Sequence, residues 1–146
     1  TGNMTAILRR QFPDADVLGV DGSEDMLAKA RADVPGARFE IGDFHTWTPA
    51  EAPDLIYSNA ALHWASGHET LFPRLVSLLA PGGVLATYTC SHHMQDAELR
   101  QVLAEVSADA RRKLRVLEWA HQPGDHPVLA TMPESEYLRG YVIRAE

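Results

Sequence analysis

One cysteine, Cys90, stands among the 146 residues, so no intramolecular disulfide can form, and a reducing compartment such as the cytoplasm fits. Positive charge is also scarce. Thirteen Lys and Arg against 20 Asp and Glu give a net charge of −7, which argues against nucleic acid as a partner. The one basic cluster, Arg111-Arg112-Lys113-Arg115, reads as a solvated helix face. No apolar run approaches the roughly 18 residues of a membrane span, and no signal peptide is visible. There is no internal repeat and no low-complexity segment. The sequence opens on Thr1-Gly2-Asn3 without an initiator Met and stops after Glu146 without an end signal, so it reads as truncated at both ends. What remains is ordinary: a hydrophobic content of 45% is enough for one domain with a buried core.

The apolar pattern alternates between two periods. Residues 3–12 read as a helix with Asn3 as N-cap and a stripe of Met4, Ile7, Leu8 and Phe12. A strand over 16–21 ends on Asp21. Ser23 then caps a second helix whose buried side is Met26, Leu27, Ala30 and Val34. A second strand runs to Asp43, with Phe39 and Ile41 on one face, and 44–53 is a loop. A third strand, 54–58, leads into Asn59-Ala60-Ala61-Leu62-His63-Trp64. Residues 68–79 form a helix with Pro73 near its start, where proline is tolerated. Pro81-Gly82-Gly83 turns the chain into a fourth strand over 84–89. Helices interleaved with short apolar strands predict an α/β fold: a Rossmann-like, doubly wound, mostly parallel sheet.

Beyond residue 90 the pattern predicts a helix over 95–118, a loop over 120–134 and then a short helix from Glu134 with a fragment of strand. The first strand of such a fold and its C-terminal antiparallel strands are expected to be missing. Residues 1–90 read as a cofactor-binding core, and 91–146 as a helical and loop segment of the same domain on the substrate side.

Asp21 organises the chemistry. A carboxylate at the carboxyl end of a strand can accept two hydrogen bonds from a ribose diol, and that edge is where open α/β sheets bind ligands. Gly2 precedes the first helix, and Asp21 follows about twenty positions on, the relation of a nucleotide-binding glycine turn to its acid. A plain reading remains: Asp21 only caps the next helix. Asp43 ends the neighbouring strand and can accept from an exocyclic adenine amine, with Phe44 beside the ring; otherwise it is a solvated loop acid. Asn59 can hold polar ligand atoms, and His63 and Trp64 can wall a pocket; otherwise Trp64 is core and His63 surface. His92-His93, with His121 and His126, lack ligand spacing, so no metal is expected. Cys90 reads as structural.

The runs Asp21-Gly22-Ser23-Glu24-Asp25-Met26-Leu27, Gly42-Asp43, Asp54 to Trp64 and Leu79-Ala80-Pro81-Gly82-Gly83 resemble the successive motifs of class I S-adenosylmethionine-dependent methyltransferases. His68 to Leu75 look most like the trans-aconitate 2-methyltransferase branch. The resemblance implies S-adenosylmethionine as cofactor. Gly2 would lie by its methionine part, Asp21 on the ribose, Gly22 and Met26 beside the adenosine, Asp43 and Phe44 at the adenine, and Asn59 near the methionyl group. Apart from the resemblance, His63 and Trp64, as pocket walls after the third strand, are the candidates for the substrate side.

The implied reaction is methyl transfer to a small-molecule acceptor, with a carboxylate such as trans-aconitate in view. A carboxylate is already ionised near neutral pH and needs no general base. A polycarboxylate favours bidentate arginines, and Arg112, Arg115, Arg139 and Arg144 are the candidates. Two alternatives stand beside this reading: a nicotinamide-dependent oxidoreductase, and a non-catalytic nucleotide-binding domain of the same fold. Neither oligomeric state nor catalytic residue is legible.

Overall fold

The computed structural model describes residues 2–90, 96–132 and 135–146, apart from the side chains of residues 63 and 96–99. The chain divides into two compact units, residues 1–47 and 48–146.

The first unit runs α1 (Asn3–Gln11), β1 (Leu18–Asp21), α2 (Glu24–Asp33) and β2 (Arg38–Ile41). β1 and β2 are parallel, with Asp21 opposite Ile41. Ser23 caps α2 as expected, its hydroxyl accepting from the Met26 amide at 3.4 Å, and Glu24 and Asp25 complement the helix dipole. At α1 the expectation is corrected: Gly2, not Asn3, is the N-cap. Residue 2 has φ +79°, a left-handed geometry that glycine adopts at little cost. The packing of α2 is narrower than its pattern: Leu27 and Ala30 are buried, whereas Met26 is 47% exposed. Gly19 faces Phe39 across the β1–β2 ladder, and a Cβ there would stand 2.5 Å from the Phe39 ring. The ring takes the space a side chain would need.

The second unit contains β3 (Leu55–Asn59), a 3₁₀ turn (Leu62–Trp64), α3 (His68–Leu78), β4 (Val84–Thr89), α4 (Asp96–Asp109), β5 (Leu114–Ala120) and β6 (Arg139–Ala145). Its four-stranded sheet has the order β3-β4-β6-β5. β3 and β4 are parallel; β6 is antiparallel to both β4 and β5. Leu71, Phe72, Leu75 and Val76 of α3, Leu85 of β4, Val106 of α4 and Ile143 of β6 are buried. Pro73 lies in the middle of the eleven-residue α3 rather than near its start. Its ring leaves the Glu69 carbonyl without the usual amide partner.

The C-terminal strands expected to be missing are present as β5 and β6. The helix expected over 95–118 ends at Asp109, and 114–120 is strand. Two features hid this. Arg111, two residues past the end of α4, takes φ +51° where a glycine would have flagged the end. A bulge between Val116 and Glu118 then breaks the two-residue alternation of β5, so the strand does not show a clean period. The helix expected from Glu134 begins outside the described residues; the segment before β6 is held instead by Gln122. Its amide nitrogen donates to the carbonyls of His126 and Ser135, both at 2.7 Å, and its oxygen accepts from the amides of Tyr137 and Leu138. No helix among the described residues is long and apolar enough to cross a membrane.

Candidate functional site

The first unit carries a small open cleft, lined by Gly2, Thr5, Gly19, Asp21, Met26 and Phe39 among others. It lies where α1 begins and β1 ends. Asp21 closes β1, and its Oδ1 accepts from the Ser23 amide at 2.9 Å. The carboxylate is therefore part of the turn into α2, but Ser23 is the N-cap. The other carboxylate oxygen has no hydrogen-bond partner among the described residues. Half-buried beside Met26 and Phe39, it is open to a hydroxyl pair with apolar groups around it. That acceptor, with apolar neighbours, fits a nucleoside with a vicinal diol.

Gly2 and Met26 line the same cleft; Gly22, Asp43 and Phe44 do not. Gly2 has its own reason to be glycine besides its φ: a Cβ would lie 3.0 Å from Val34 Cγ2 and 3.1 Å from Ala30 Cβ of α2. The Gly42 amide donates to the Asp21 carbonyl at 3.0 Å, which sets Asp43 one residue further along the same edge. Asp43 organises a tight turn. Its Oδ1 accepts from the His45 amide at 2.7 Å, and its carbonyl accepts from Thr46 and Trp47. Thr5, Gly19 and Phe39 also line the cleft, and the sequence reading passed over them. The glycine inside a strand was the available signal, since it marks a close approach.

In the second unit, Asn59 is the exposed last residue of β3, opposite Tyr88 of β4. Ala60 follows with φ +50°, held there by its amide, which donates to the Tyr88 carbonyl at 2.9 Å. Leu62 is buried, whereas Trp64 is 82% exposed and is not core. The His63 side chain lies outside the described residues. His68 reaches back from the start of α3 to the Leu62 carbonyl at 2.8 Å.

Among the arginines, Arg112 is corrected as a candidate for clamping an acceptor. Its guanidinium donates to four main-chain carbonyls, those of Val76, Leu79, Ala80 and Ala145, at 2.8–2.9 Å. It caps the C-terminal end of α3 and ties that end to the last residues of β6. Arg115 pairs with Glu146 at 2.7 Å, which holds the Glu146 carboxyl below its ordinary range. Arg144 is exposed on β6. His92 and His93 lie outside the described residues, and no group of potential metal ligands occurs among the described ones.

The model of a methyltransferase domain matches residues 1–83. The trans-aconitate 2-methyltransferase of Variovorax paradoxus (strain S110) is 45% identical over 132 residues, which is 90% of this chain and 48% of that protein. The protein of the same name from Methylobacterium radiotolerans is 58% identical over 85 residues, 58% of this chain and 33% of its own length. The chain thus spans between a third and a half of these curated relatives. Among solved structures, an S-adenosylmethionine-dependent methyltransferase from Mesorhizobium loti superposes with a TM-score of 0.73 at 20% identity, covering 96% of this chain and 85% of that one. The N-methyltransferase NodS of Bradyrhizobium japonicum WM9, in complex with S-adenosyl-L-homocysteine, superposes with a TM-score of 0.68 at 18% identity, covering 99% and 72%. With the family model matched over residues 1–83, more than half of the 146 residues, and the shared Rossmann-like α/β fold, the chain belongs to the methyltransferase-domain family.

Proposed function

We propose that the protein transfers a methyl group from S-adenosylmethionine to a small-molecule acceptor, a carboxylate such as trans-aconitate. The observation that carries the cofactor is the Asp21 carboxylate at the end of β1, one oxygen fixed by the Ser23 amide and the other open to the cleft. The acceptor is supported by the relatives named for trans-aconitate. The relatives and structures named above are methyltransferases and do not favour the oxidoreductase or non-catalytic alternatives.

Bound S-adenosylmethionine supplies an activated methyl group on a sulfonium that leaves readily. The chain's own residues bind and orient. Asp21 takes the ribose hydroxyls. Met26 and Gly22 flank the adenosine, Asp43 accepts from the adenine amine with Phe44 against the ring, and Gly2 and Asn59 serve the methionine part. Residues 1–90 carry this binding, and 91–146 the acceptor side of the same domain, with His63 and Trp64 toward the acceptor. With Arg112 engaged by main-chain carbonyls, Arg144, exposed on β6, is the arginine offered to a polycarboxylate. A carboxylate acceptor is ionised at neutral pH and asks for no proton removal, so alignment is the main requirement.

Asp21→Asn is the clean test. The amide oxygen can still accept from Ser23, so the turn survives, but the new NH2 group cannot accept from a hydroxyl. Titration calorimetry with S-adenosyl-L-homocysteine should show affinity weakened about tenfold or more, the scale of a hydrogen bond to a charged group. Unchanged affinity would remove Asp21 from the ribose site.

A further inference from the structure

The segment between β3 and α3 is a bracket with a left-handed residue at each end. Ala60 has φ +50° and Gly67 has φ +65°. Between them, the 3₁₀ turn Leu62–Trp64 carries one buried side chain, Leu62, and one almost wholly exposed, Trp64. Leu62 is the peg. Its carbonyl accepts twice, from the Ala65 amide at 3.1 Å and from His68 Nε2 at 2.8 Å. Because a carbonyl only accepts, the imidazole proton sits on Nε2 in this bond. The ring is itself oriented, tilted 36° against Phe72 with centroids 5.9 Å apart, and Phe72 is buried in the core of the second unit. His68 therefore transmits the fixed position of α3 to the turn. A large aromatic held in water on a braced turn is poor use of apolar surface unless something covers it.

We infer that His68 is a positioning residue for the acceptor: through its bond to the Leu62 carbonyl it holds the 3₁₀ turn, and with it Trp64, at the carboxyl end of β3. The inference rests on the methyltransferase reading above and deepens it by naming what sets the acceptor wall. His68 touches neither reactant, so its removal changes how well the acceptor is held and leaves the cofactor's own binding alone.

The test compares His68→Phe, which keeps a ring against Phe72 but has no donor, with His68→Gln, whose amide nitrogen can reach the same carbonyl. With trans-aconitate as probe acceptor, His68→Phe should raise the acceptor KM about fivefold, the scale of one net hydrogen bond. The affinity for S-adenosyl-L-homocysteine and kcat should stay within twofold, and His68→Gln should restore most of the KM. Hydrogen exchange across residues 61–67 should quicken in His68→Phe and not in His68→Gln. An unchanged KM, a matched loss of cofactor affinity, or unchanged exchange in His68→Phe would overturn the positioning role. If the unsubstituted enzyme does not turn over trans-aconitate, the acceptor reading fails, and hydrogen exchange alone still decides for or against His68 as the brace.

Discussion

Replacing Arg112 with methionine tests the reassignment of this residue from acceptor clamp to structural cap. Its guanidinium makes four bonds of 2.8–2.9 Å to carbonyls. Counting each charged hydrogen bond at ~1.5–3 kcal/mol would give ~6–12 kcal/mol in all. The surroundings show why that sum is too large. The Ala80 carbonyl keeps the Gly83 amide at 2.9 Å, the Ala145 carbonyl keeps the Gly82 amide at 2.9 Å, and the Val76 carbonyl keeps the Leu79 amide at 3.3 Å. The Leu79 carbonyl has no second donor among the described residues. Methionine preserves most of the apolar stem, so the loss reduces to one orphaned carbonyl, weakened bonds at three others and the interaction of a cation with the α3 C-terminus. We expect about 3 kcal/mol of destabilisation. Urea unfolding reads it as a lower midpoint at an unchanged slope. Arg112→Lys should cost about half as much, because a compact ammonium with three donors cannot span four carbonyls arranged around a planar fork. A loss below about 1 kcal/mol for Arg112→Met would refute the cap as an important tie. A large rise in acceptor KM at unaltered stability would return Arg112 to the acceptor site.

Two other perturbations follow from backbone geometry and burial. Arg111→Gly should raise stability by about 0.5–1 kcal/mol, because φ +51° strains any residue with a Cβ and Arg111 is exposed; a lower melting temperature would contradict this. Tyr57 is held protonated above its ordinary 10.0, chiefly by burial and then by neighbouring Tyr88. The folded value lies above the unfolded one, so the stabilisation is complete below about pH 10 and is lost as pH rises through the folded value. One of the four tyrosines should therefore ionise late by ultraviolet absorbance, and Tyr57→Phe should flatten the fall in stability at alkaline pH; simultaneous ionisation of all four would count against it.

The residues that were legible in advance are those whose role is local. Ser23 announces α2 because a hydroxyl before a helix satisfies an amide that would otherwise lack a partner. Asp21 at a strand end, with an apolar run before it, identifies the edge where the cleft lies. What stayed hidden depends on partners distant in sequence. Nothing near Arg112 reveals that its contacts are 32 to 36 residues upstream or 33 residues downstream. β5 was hidden by an arginine in a glycine's conformation and by one extra residue in its ladder. Phe39 lies in the cleft only because its ladder partner is Gly19, and register is not written in either strand alone.

The placement of β6 has a consequence for how the second unit is made. β5 precedes β6 in the chain yet touches the sheet only through it, since the order is β3-β4-β6-β5. During synthesis β5 must wait, with Leu114 and Trp119 uncovered, until residues 139–145 have left the ribosome and can slide between it and β4. β6, which follows β5 in the chain, is an interior strand, and residue 145 also supplies a carbonyl to Arg112. Completion of this unit is thus a non-local event: a chain interrupted before residue 139 lacks β6 and leaves β5 without a place, so the sheet loses two strands rather than one.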